Sequence, residues 1–397
     1  MNTIVFITTL SFTDSNSAGY NRILNYAKAL SSNSINVILF SYRDKFYNLF
    51  DLEPICNNVF KIKEERLSFS YFQAFLSLVR LRRILTNNRT AYVFYPTSKF
   101  FADFIFFFIF KVFYSNKIFC EINELRHSYV QNRFVLKKPC FHIIVILRNA
   151  IDFFFYRMLE VSYSKYNGII TISSNLNTYI KKYNSKVLTI PILVDVPEKY
   201  EYCDLHFNEN FNIGFFGTIS FKKEGLSNLF QAIKSLLDKN YNFKLFLYGP
   251  ISDIEKKILQ NLINEESILS SIIYKGIFSH HLIFTEMRKM NLLILPRPLN
   301  TQTNFGFSTK LAEYLISGVP VLVTDVSDNK IYIKDGFNGY MVDEISATGF
   351  ERKLIDIVGN YEVEKHIVSK EAFNTAKNHF DYRLYKDILT NFFFGND

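Results

Sequence analysis

Residues 296–324, PRPLNTQTNFGFSTKLAEYLISGVPVLVT, are the stretch that decides the fold of this chain. They read as the end of an apolar strand, a polar loop, a short helix, a tight turn and a second apolar strand. Ser308 stands where a helix N-cap is expected, and Gly318 followed by Pro320 is typical of a helix end. This succession predicts the repeating unit of a parallel sheet that is covered by helices.

The start of the predicted helix is suited to an anion, because free backbone N–H groups at a helix N-terminus bind phosphate. Lys310 and Glu313 lie on the face opposite to Leu311 and Leu315, which are expected to pack inward. An ionised carboxylate only accepts hydrogen bonds, so Glu313 suits a vicinal diol such as that of a ribose. The spacing alone also allows an ordinary surface helix with a Lys310–Glu313 ion pair.

The composition predicts a globular chain with an anionic partner. With 397 residues, 48% of them hydrophobic, the chain is long enough for two cores. A formal net charge of +9 favours nucleic acid, a membrane surface or a phosphorylated substrate. We expect no nucleic acid, because the sequence has no zinc-finger spacing, no RNA-binding aromatic signature and no basic arm.

The same composition predicts a cytoplasmic protein. The cysteines form no close pair and read as reduced thiols: Cys56, Cys120, Cys140 and Cys203. The N-terminus has neither the charged start nor the cleavage site of a signal peptide. The apolar run 104–110 is far shorter than the roughly 20 residues that span a membrane. Peripheral contact with the inner face of the cytoplasmic membrane remains an open alternative.

Short apolar strands alternate with amphipathic helices along the whole chain, which predicts two doubly wound α/β domains. Strands are predicted at residues 3–8, 36–40, 91–95, 117–121, 168–172, 186–190, 212–216, 243–248, 272–275, 292–295 and 319–324. Helices are predicted at residues 21–30, 70–85, 98–113, 144–164, 174–182, 226–239, 254–264, 282–290, 309–317 and, with a break at 380–382, within 363–394. A linker rich in proline and charge, starting at residue 191, divides the chain into domains 1–190 and 191–381. In such sheets ligands bind at the C-terminal ends of the strands, so we expect both domains to face one cleft.

Two further segments have residues suited to chemistry. Glu121 and Glu124 follow an apolar strand and are candidates for a carboxylate that orients an acceptor hydroxyl, although Glu124 is also free to pair with Arg126. In the second domain, residues 214–225 (GFFGTISFKKEG) resemble the second phosphate-contacting loop of glycosyltransferase family 4, although on their own they also read as a solvated charged turn. Arg297 is an additional candidate cation there, since a planar guanidinium fits phosphate well.

Residues 309–315 (TKLAEYL) and 317–324 (SGVPVLVT) together resemble the nucleotide-sugar motif of glycosyltransferase family 4. The resemblance implies the GT-B fold of two Rossmann-like domains, with the last helix, about 382–397, packed back on the first. It implies transfer of a sugar, with retention of configuration, from a nucleotide-diphosphate donor to a glycan or lipid-linked glycan acceptor. Such enzymes act in cell-surface polysaccharide synthesis, as in capsule or lipopolysaccharide. No metal or other cofactor is implied, and a UDP-sugar is the first expectation for the donor.

The resemblance also implies roles for particular residues, above all the ribose for Glu313 and the diphosphate for the start of the 309–317 helix. The residues predicted to bind the donor are Gly19, Arg22, Gly217, Lys222, Lys223, Phe278, Arg297, Ser308, Thr309, Lys310 and Glu313. The catalytic candidates are Glu121, Glu124 and Lys310. The chain departs from the family at Thr218, where an arginine is common, and at Asn304 and Phe305, where an acidic residue is usual.

Two other functions fit the same architecture. A nucleotide-sugar epimerase acts on the donor alone, and a degenerate, non-catalytic subunit keeps the fold without the reaction. Contact with an anionic membrane is suggested by the aromatic helix 98–113 and by the apolar segment 141–157 with its arginines.

Overall fold

The computed structural model describes residues 2–8, 10, 12, 17–31, 33–41, 46–65, 89–95, 117–125, 142–201, 209–263 and 270–395. The predicted helices 70–85 and 98–113 lie outside these residues, as do Arg126, Cys140 and Cys203. The chain divides into two compact units, one of residues 1–195 with 382–397 and one of residues 196–381.

The first unit is built on an eight-stranded sheet. Its strands are β1 (Thr3–Thr8), β2 (Asn36–Ser41), β3 (Phe46–Cys56), β4 (Val59–Glu65), β5 (Thr90–Tyr95), β6 (Lys117–Ile122), β7 (Gly168–Thr171) and β8 (Val187–Thr189). Their order is β3-β4-β2-β1-β5-β6-β7-β8, and β3 with β4 is the antiparallel pair of an otherwise parallel sheet. This edge hairpin was not predicted from the sequence, since β3 contains Pro54 and lacks an apolar alternation. Proline is tolerated in a strand at a sheet edge.

The described helices of the first unit are Ala18–Ser31, His142–Ser162, Ser174–Ile180 and Lys386–Phe394. The last of these comes from the C-terminus of the chain and completes the core of this unit. Its Leu389 and Phe393 are fully buried, and the ring of Phe393 lies 4.9 Å from that of Phe119 on β6. The backbone N–H of Tyr382 also donates to the carbonyl of Val194.

The second unit has a six-stranded sheet in which all neighbouring strands are parallel. Its strands are β9 (Phe211–Phe216), β10 (Phe243–Tyr248), β11 (Ile272–Gly276), β12 (Leu292–Leu295), β13 (Val321–Thr324) and β14 (Tyr340–Val342). Their order is β11-β10-β9-β12-β13-β14, in which the chain winds outward from β9 and then restarts at β12 on its other side. This is the doubly wound arrangement, so the predicted fold class is confirmed for both units.

The helices of the second unit are Phe221–Glu224, Leu226–Asp238, Asp253–Ile263, His280–Met287, Thr301–Phe305, Thr309–Ser317, Asn329–Tyr332 and Ala347–His379. The long helix starts at Ala347, well before the predicted 363, because Ser346 caps it by accepting from the N–H of Gly349. It ends at His379, and the predicted break at residues 380–382 is confirmed. Among the helices described in both units, none is long and apolar enough to cross a membrane.

Candidate functional site

The second sheet opens at its switch point, between β9 and β12. These strands pair at two positions, Leu292 with Ile213 and Leu293 with Gly214. Further along β9, the backbone of Phe216 is bonded by a side chain: the Tyr314 hydroxyl accepts from its N–H at 2.8 Å and donates to its carbonyl at 3.1 Å. The Thr309–Ser317 helix is thereby fixed at the crevice where doubly wound sheets bind their ligands.

The N-terminus of this helix has an unused polar group. Ser308 is the N-cap residue, as predicted, but its side chain caps no backbone N–H. Its Oγ is buried and has no hydrogen-bond partner among the described residues. A buried hydroxyl without a partner is costly in a folded protein. A ligand oxygen placed at the helix N-terminus would satisfy both the hydroxyl and the helix dipole.

Two cations lie beside this N-terminus and share one carboxylate. Lys310 Nζ is 3.1 Å from Glu224 Oε2, and the Arg297 guanidinium reaches both Glu224 oxygens at 3.3 Å. The side chains of Glu224, Lys310 and Arg297 are only 3%, 11% and 12% exposed. Lys310 therefore pairs with Glu224 rather than Glu313. In the turn at residues 222–225, Lys222 and Lys223 are exposed to solvent, whereas Glu224 is buried.

Glycines make this close packing possible. Gly217 follows β9 with a φ of 148°, and a Cβ atom there would lie 1.8 Å from Cε of Lys310. Gly225 has a φ of 71°, and a Cβ there would lie 2.0 Å from the carbonyl oxygen of Pro296. The Lys310 side chain thus runs directly over Gly217, while Gly225 lets the backbone preceding Arg297 approach.

The pKa values of the three ionisable groups follow from burial and mutual charge. Burial lowers the pKa of Lys310 to about 8, which Glu224 opposes and Arg297 reinforces. Burial acts to raise the pKa of Glu224, but Lys310 and Arg297 outweigh it and bring that pKa to about 2. The pKa of Glu313, which is half-buried one turn along the helix, is raised to about 7 by burial against the opposing effect of Lys310.

The other predicted donor residues of this unit lie around these groups. Lys222 and Lys223 are exposed on the turn of helix that ends at Glu224, and Thr309 is half-buried at the helix start. Phe278 follows β11 and contacts Tyr248, whose ring stacks on Phe216 with centroids 4.3 Å apart. Phe278 is therefore the half-buried end of an aromatic row whose other two rings, Tyr248 and Phe216, are buried.

Arg22 and Glu121 do not fit the roles predicted for them. Both are buried in the first unit and form an ion pair through Nε of Arg22 and Oε1 of Glu121. The remaining Arg22 nitrogens donate to the carbonyls of Pro191 and Ile190 at 2.6 and 2.8 Å, and the Tyr26 hydroxyl donates to Glu121. Arg22 therefore joins the first helix, β6 and the chain after β8, and the structure gives the pair a structural role.

Glu124 and Gly19 are placed differently, at the C-terminal edge of the first sheet. Oε2 of Glu124 is buried without a hydrogen-bond partner among the described residues. Its neighbour Asn123 donates to the Tyr95 hydroxyl at 2.7 Å. A Cβ on Gly19 would lie 2.5 Å from Cδ1 of Leu10 and 3.4 Å from that hydroxyl, so a larger residue there would have to displace the end of the Leu10 side chain. Of the two predicted carboxylates, Glu124 keeps an oxygen that a ligand hydroxyl can use.

Sequence reasoning missed Glu224 and Tyr314 as residues of the site. Neither was assigned a role from the sequence, in which Glu224 lies within the segment 214–225 and Tyr314 within the segment 309–315. A signal for Glu224 is present locally, because Ser220 caps its helical turn and Gly225 ends it in the left-handed conformation. Such a turn points its last side chain in a defined direction. Nothing local indicates the partner of Tyr314, because Phe216 is 98 residues away.

The second unit is thus a doubly wound α/β domain in which Lys310 and Arg297 lie beside a helix N-terminus at the switch point of the sheet. Residues 204–372 match the sequence model of the family described as Glycosyl transferases group 1. This part of the chain is a glycosyltransferase group 1 domain, and the resemblance to glycosyltransferases is confirmed.

Two relatives are each 25% identical to this chain. One is an uncharacterized glycosyltransferase of Methanocaldococcus jannaschii, matched over 164 residues, and the other is the capsular polysaccharide biosynthesis glycosyltransferase CapM of Staphylococcus aureus, matched over 166 residues. The matches cover 41% and 40% of this chain and 43% and 40% of those proteins, which is less than half of each relative.

The likeness of fold extends over both units. The crystal structure of Anabaena HepE in complex with UDP matches 98% of this chain and 98% of that chain, with a TM-score of 0.62 at 13% identity. At this identity the match concerns the fold alone. Both units accordingly have the architecture of GT-B glycosyltransferases.

Proposed function

We propose that this chain is a glycosyltransferase of family 4 that moves a sugar from a nucleotide-diphosphate donor, with a UDP-sugar as the first choice, to a hydroxyl of a glycan or lipid-linked glycan. The observation that supports this most is the helix N-terminus at Ser308, where a buried hydroxyl without a partner adjoins Lys310 and Arg297. A diphosphate would supply the negative charge and the hydrogen-bond acceptors that Ser308, Lys310 and Arg297 can bind.

The proposed mechanism uses the same residues for the leaving group. As the bond between sugar and diphosphate breaks, negative charge grows on the departing phosphate. Lys310, Arg297 and the amides of the Thr309–Ser317 helix are preorganised to stabilise that charge. Glu313 is assigned the two ribose hydroxyls, which a carboxylate accepts together. In the first unit, Glu124 is assigned the acceptor hydroxyl because its buried Oε2 has no partner among the described residues.

The relatives support a role in cell-surface polysaccharide synthesis, since CapM is described as a capsular polysaccharide biosynthesis glycosyltransferase. The UDP bound to HepE supports UDP as the first nucleotide to test. Retention of anomeric configuration is part of the proposal and is tested by NMR of the product.

Binding of UDP tests the donor site directly. We expect UDP at 100 times its Kd to stabilise the protein by about 2.7 kcal/mol, which is visible as a thermal shift. Gly217→Ala should weaken UDP binding at least about tenfold, because its Cβ displaces Lys310 and removes a charge-assisted contact. Gly336→Ala is the matched control, since it also places a side chain at positive φ, 70°, with no atom within 4 Å. If UDP, GDP and ADP all fail to bind the wild type, the non-catalytic alternative is favoured instead.

We also propose that the first unit touches an anionic membrane while it reaches a lipid-linked acceptor. The His142–Ser162 helix supports this, since large apolar side chains on it are exposed, among them Phe154 at 61% and Val161 at 65%. The net charge of +9 favours anionic lipid. We expect sedimentation with phosphatidylglycerol vesicles but not with phosphatidylcholine vesicles, and a marked loss in the Phe154→Ser variant. Equal behaviour on both lipids would contradict this.

A further inference from the structure

Glu224 is an acidic residue beside the proposed diphosphate site, where a negative charge does not favour binding of an anion. It lies 3.1 Å from Lys310 and 3.3 Å from Arg297, with its side chain 3% exposed. A bound diphosphate would meet two cations that are already paired. The trio still has a net charge of +1, so the site remains attractive to an anion.

Stability alone is a weak explanation for this cluster. A buried ion pair loses much of its attraction to desolvation, and apolar replacements of such clusters are often neutral or stabilising. Of the three charged side chains, that of Lys310 also runs directly over Gly217, just after β9. The cluster is therefore better explained by an effect on the charge and position of Lys310 and Arg297 than by a contribution to folding stability.

We propose that Glu224 is an internal counter-ion that keeps Lys310 charged and holds Lys310 and Arg297 in position while no donor is bound. The inference rests on the proposed donor site. When a diphosphate arrives, its oxygens add to Glu224 as partners of both cations, and Lys310 is already protonated in most of the molecules. Glu224 is thus a positioning residue, because it acts on the donor through Lys310 and Arg297.

The charged groups around Lys310 give the direction of the effect. Burial and the neighbouring cations Arg297 and Lys223 favour the neutral amine, whereas Glu224 favours the ammonium form. The Phe215 ring, with its centroid 5.1 Å from Nζ, also favours the cation. Glu313 is the remaining titratable group, since it interacts with Lys310 along their shared helix. Removal of Glu224 therefore lowers the pKa of Lys310 from about 8 and leaves it neutral near pH 7.5.

Proton uptake on binding tests this inference. UDP is titrated calorimetrically at pH 7.5 in buffers of different ionisation enthalpy, which gives the number of protons taken up. A Lys310 pKa of about 8 predicts an uptake of about a quarter of a proton by Lys310 in the wild type. In Glu224→Gln, we expect at least about half a proton more, because the diphosphate must now recharge Lys310. The difference between the two proteins largely removes the contributions of Glu313 and of the UDP phosphate.

The matched control is Glu255→Gln. This substitution also replaces a carboxylate by an amide, beside the same helical turn. Glu255 accepts hydrogen bonds from Ser220 Oγ and from the N–H of Phe221. Its uptake should equal that of the wild type. The inference is wrong if Glu224→Gln takes up as many protons as the wild type, or if Glu224→Gln and Glu255→Gln show the same increase. Neither result contradicts the proposed donor site.

A second measurement keeps the test decisive if Glu224→Gln does not fold. In the wild type alone, the uptake on UDP binding should grow from pH 7 to pH 9, with a midpoint near 8. An uptake by Lys310 that is already nearly complete at pH 7 would show that the lysine is neutral in the free protein despite Glu224, and this result overturns the inference. If the wild type binds neither UDP nor GDP nor ADP, the proposed function itself fails, and the two failures are thereby distinguished.

Discussion

At the scale of single residues, Glu313 shows how burial changes the ionisation of a carboxyl group. It is half-buried on the Thr309–Ser317 helix, and burial raises its pKa to about 7 from an ordinary value of 4.5. Between these two pH values the folded protein holds more of this proton than the unfolded chain does. The stabilising contribution of Glu313 is therefore complete below pH 4.5 and is lost as the pH rises through 7.

Glu313→Gln should remove this loss. We expect the difference between the melting temperatures of the variant and the wild type to increase in favour of the variant from pH 5 to pH 8. The increase corresponds to at most about 3 kcal/mol in the free energy of unfolding. Thermal denaturation over this pH range measures it. Glu286→Gln is the control, because a hydrogen bond from Lys289 lowers the pKa of Glu286 and its titration lies below that range. A pH-independent difference for Glu313→Gln would contradict the assignment.

At the scale of elements, the decisive contact joins the Thr309–Ser317 helix to β9. The Tyr314 hydroxyl serves both the N–H and the carbonyl of Phe216, at the point where β9 and β12 no longer pair. A parallel sheet that opens at its switch point leaves backbone groups to be satisfied, and each buried one left unpaired is costly. The Tyr314 hydroxyl thus satisfies the backbone of Phe216 at the crevice and holds the Thr309–Ser317 helix beside it.

Tyr314→Phe should therefore destabilise the protein by about 1–3 kcal/mol, the cost of an unpaired buried N–H. It should also weaken UDP binding, since the helix start is no longer fixed. Chemical denaturation and calorimetry measure the two effects. Tyr274→Phe removes an exposed hydroxyl that donates to the carbonyl of Gly249, and it should change stability by less than about 0.5 kcal/mol. Equal losses in the two variants would show that the buried contact is unimportant.

At the scale of the whole molecule, the chain ends in the unit where it began. The Lys386–Phe394 helix packs on the first unit, with Phe392 and Phe393 both against Phe119. Asn33 binds the same helix through Thr390 at 3.0 Å. Folding of the first unit therefore requires residues that follow the whole of the second unit in the sequence.

Leu389→Ala should cost about 2–5 kcal/mol, because the side chain is fully buried and its removal leaves a cavity. Ile388→Ala is the matched control on the same helix, since Ile388 is 47% exposed and should cost less than about 1 kcal/mol. Urea denaturation followed by circular dichroism measures both. A loss for Leu389→Ala no larger than that for Ile388→Ala would mean that the helix is not part of the core.

The fold could be predicted from the sequence where the pattern is local. The predicted bounds are correct for β1, β10, β12 and the Thr309–Ser317 helix. Strand and helix periods, N-caps and C-terminal glycines depend only on residues that are close together in the sequence. The hairpin of β3 and β4 was missed, since an edge strand need not alternate. The candidate site was predicted in part: Ser308, Lys310, Arg297 and Gly217 do lie together.

The sequence by itself determined the two doubly wound sheets and the position of the helix start at Ser308. Only the tertiary structure decided which charges meet. Arg22 and Glu121 are 99 residues apart, and Glu224 and Arg297 are 73 apart, so no local pattern encodes either pair. The partner of a buried charge depends on which strand ends adjoin and how far burial penalises an unpaired ion, and both are properties of the folded chain.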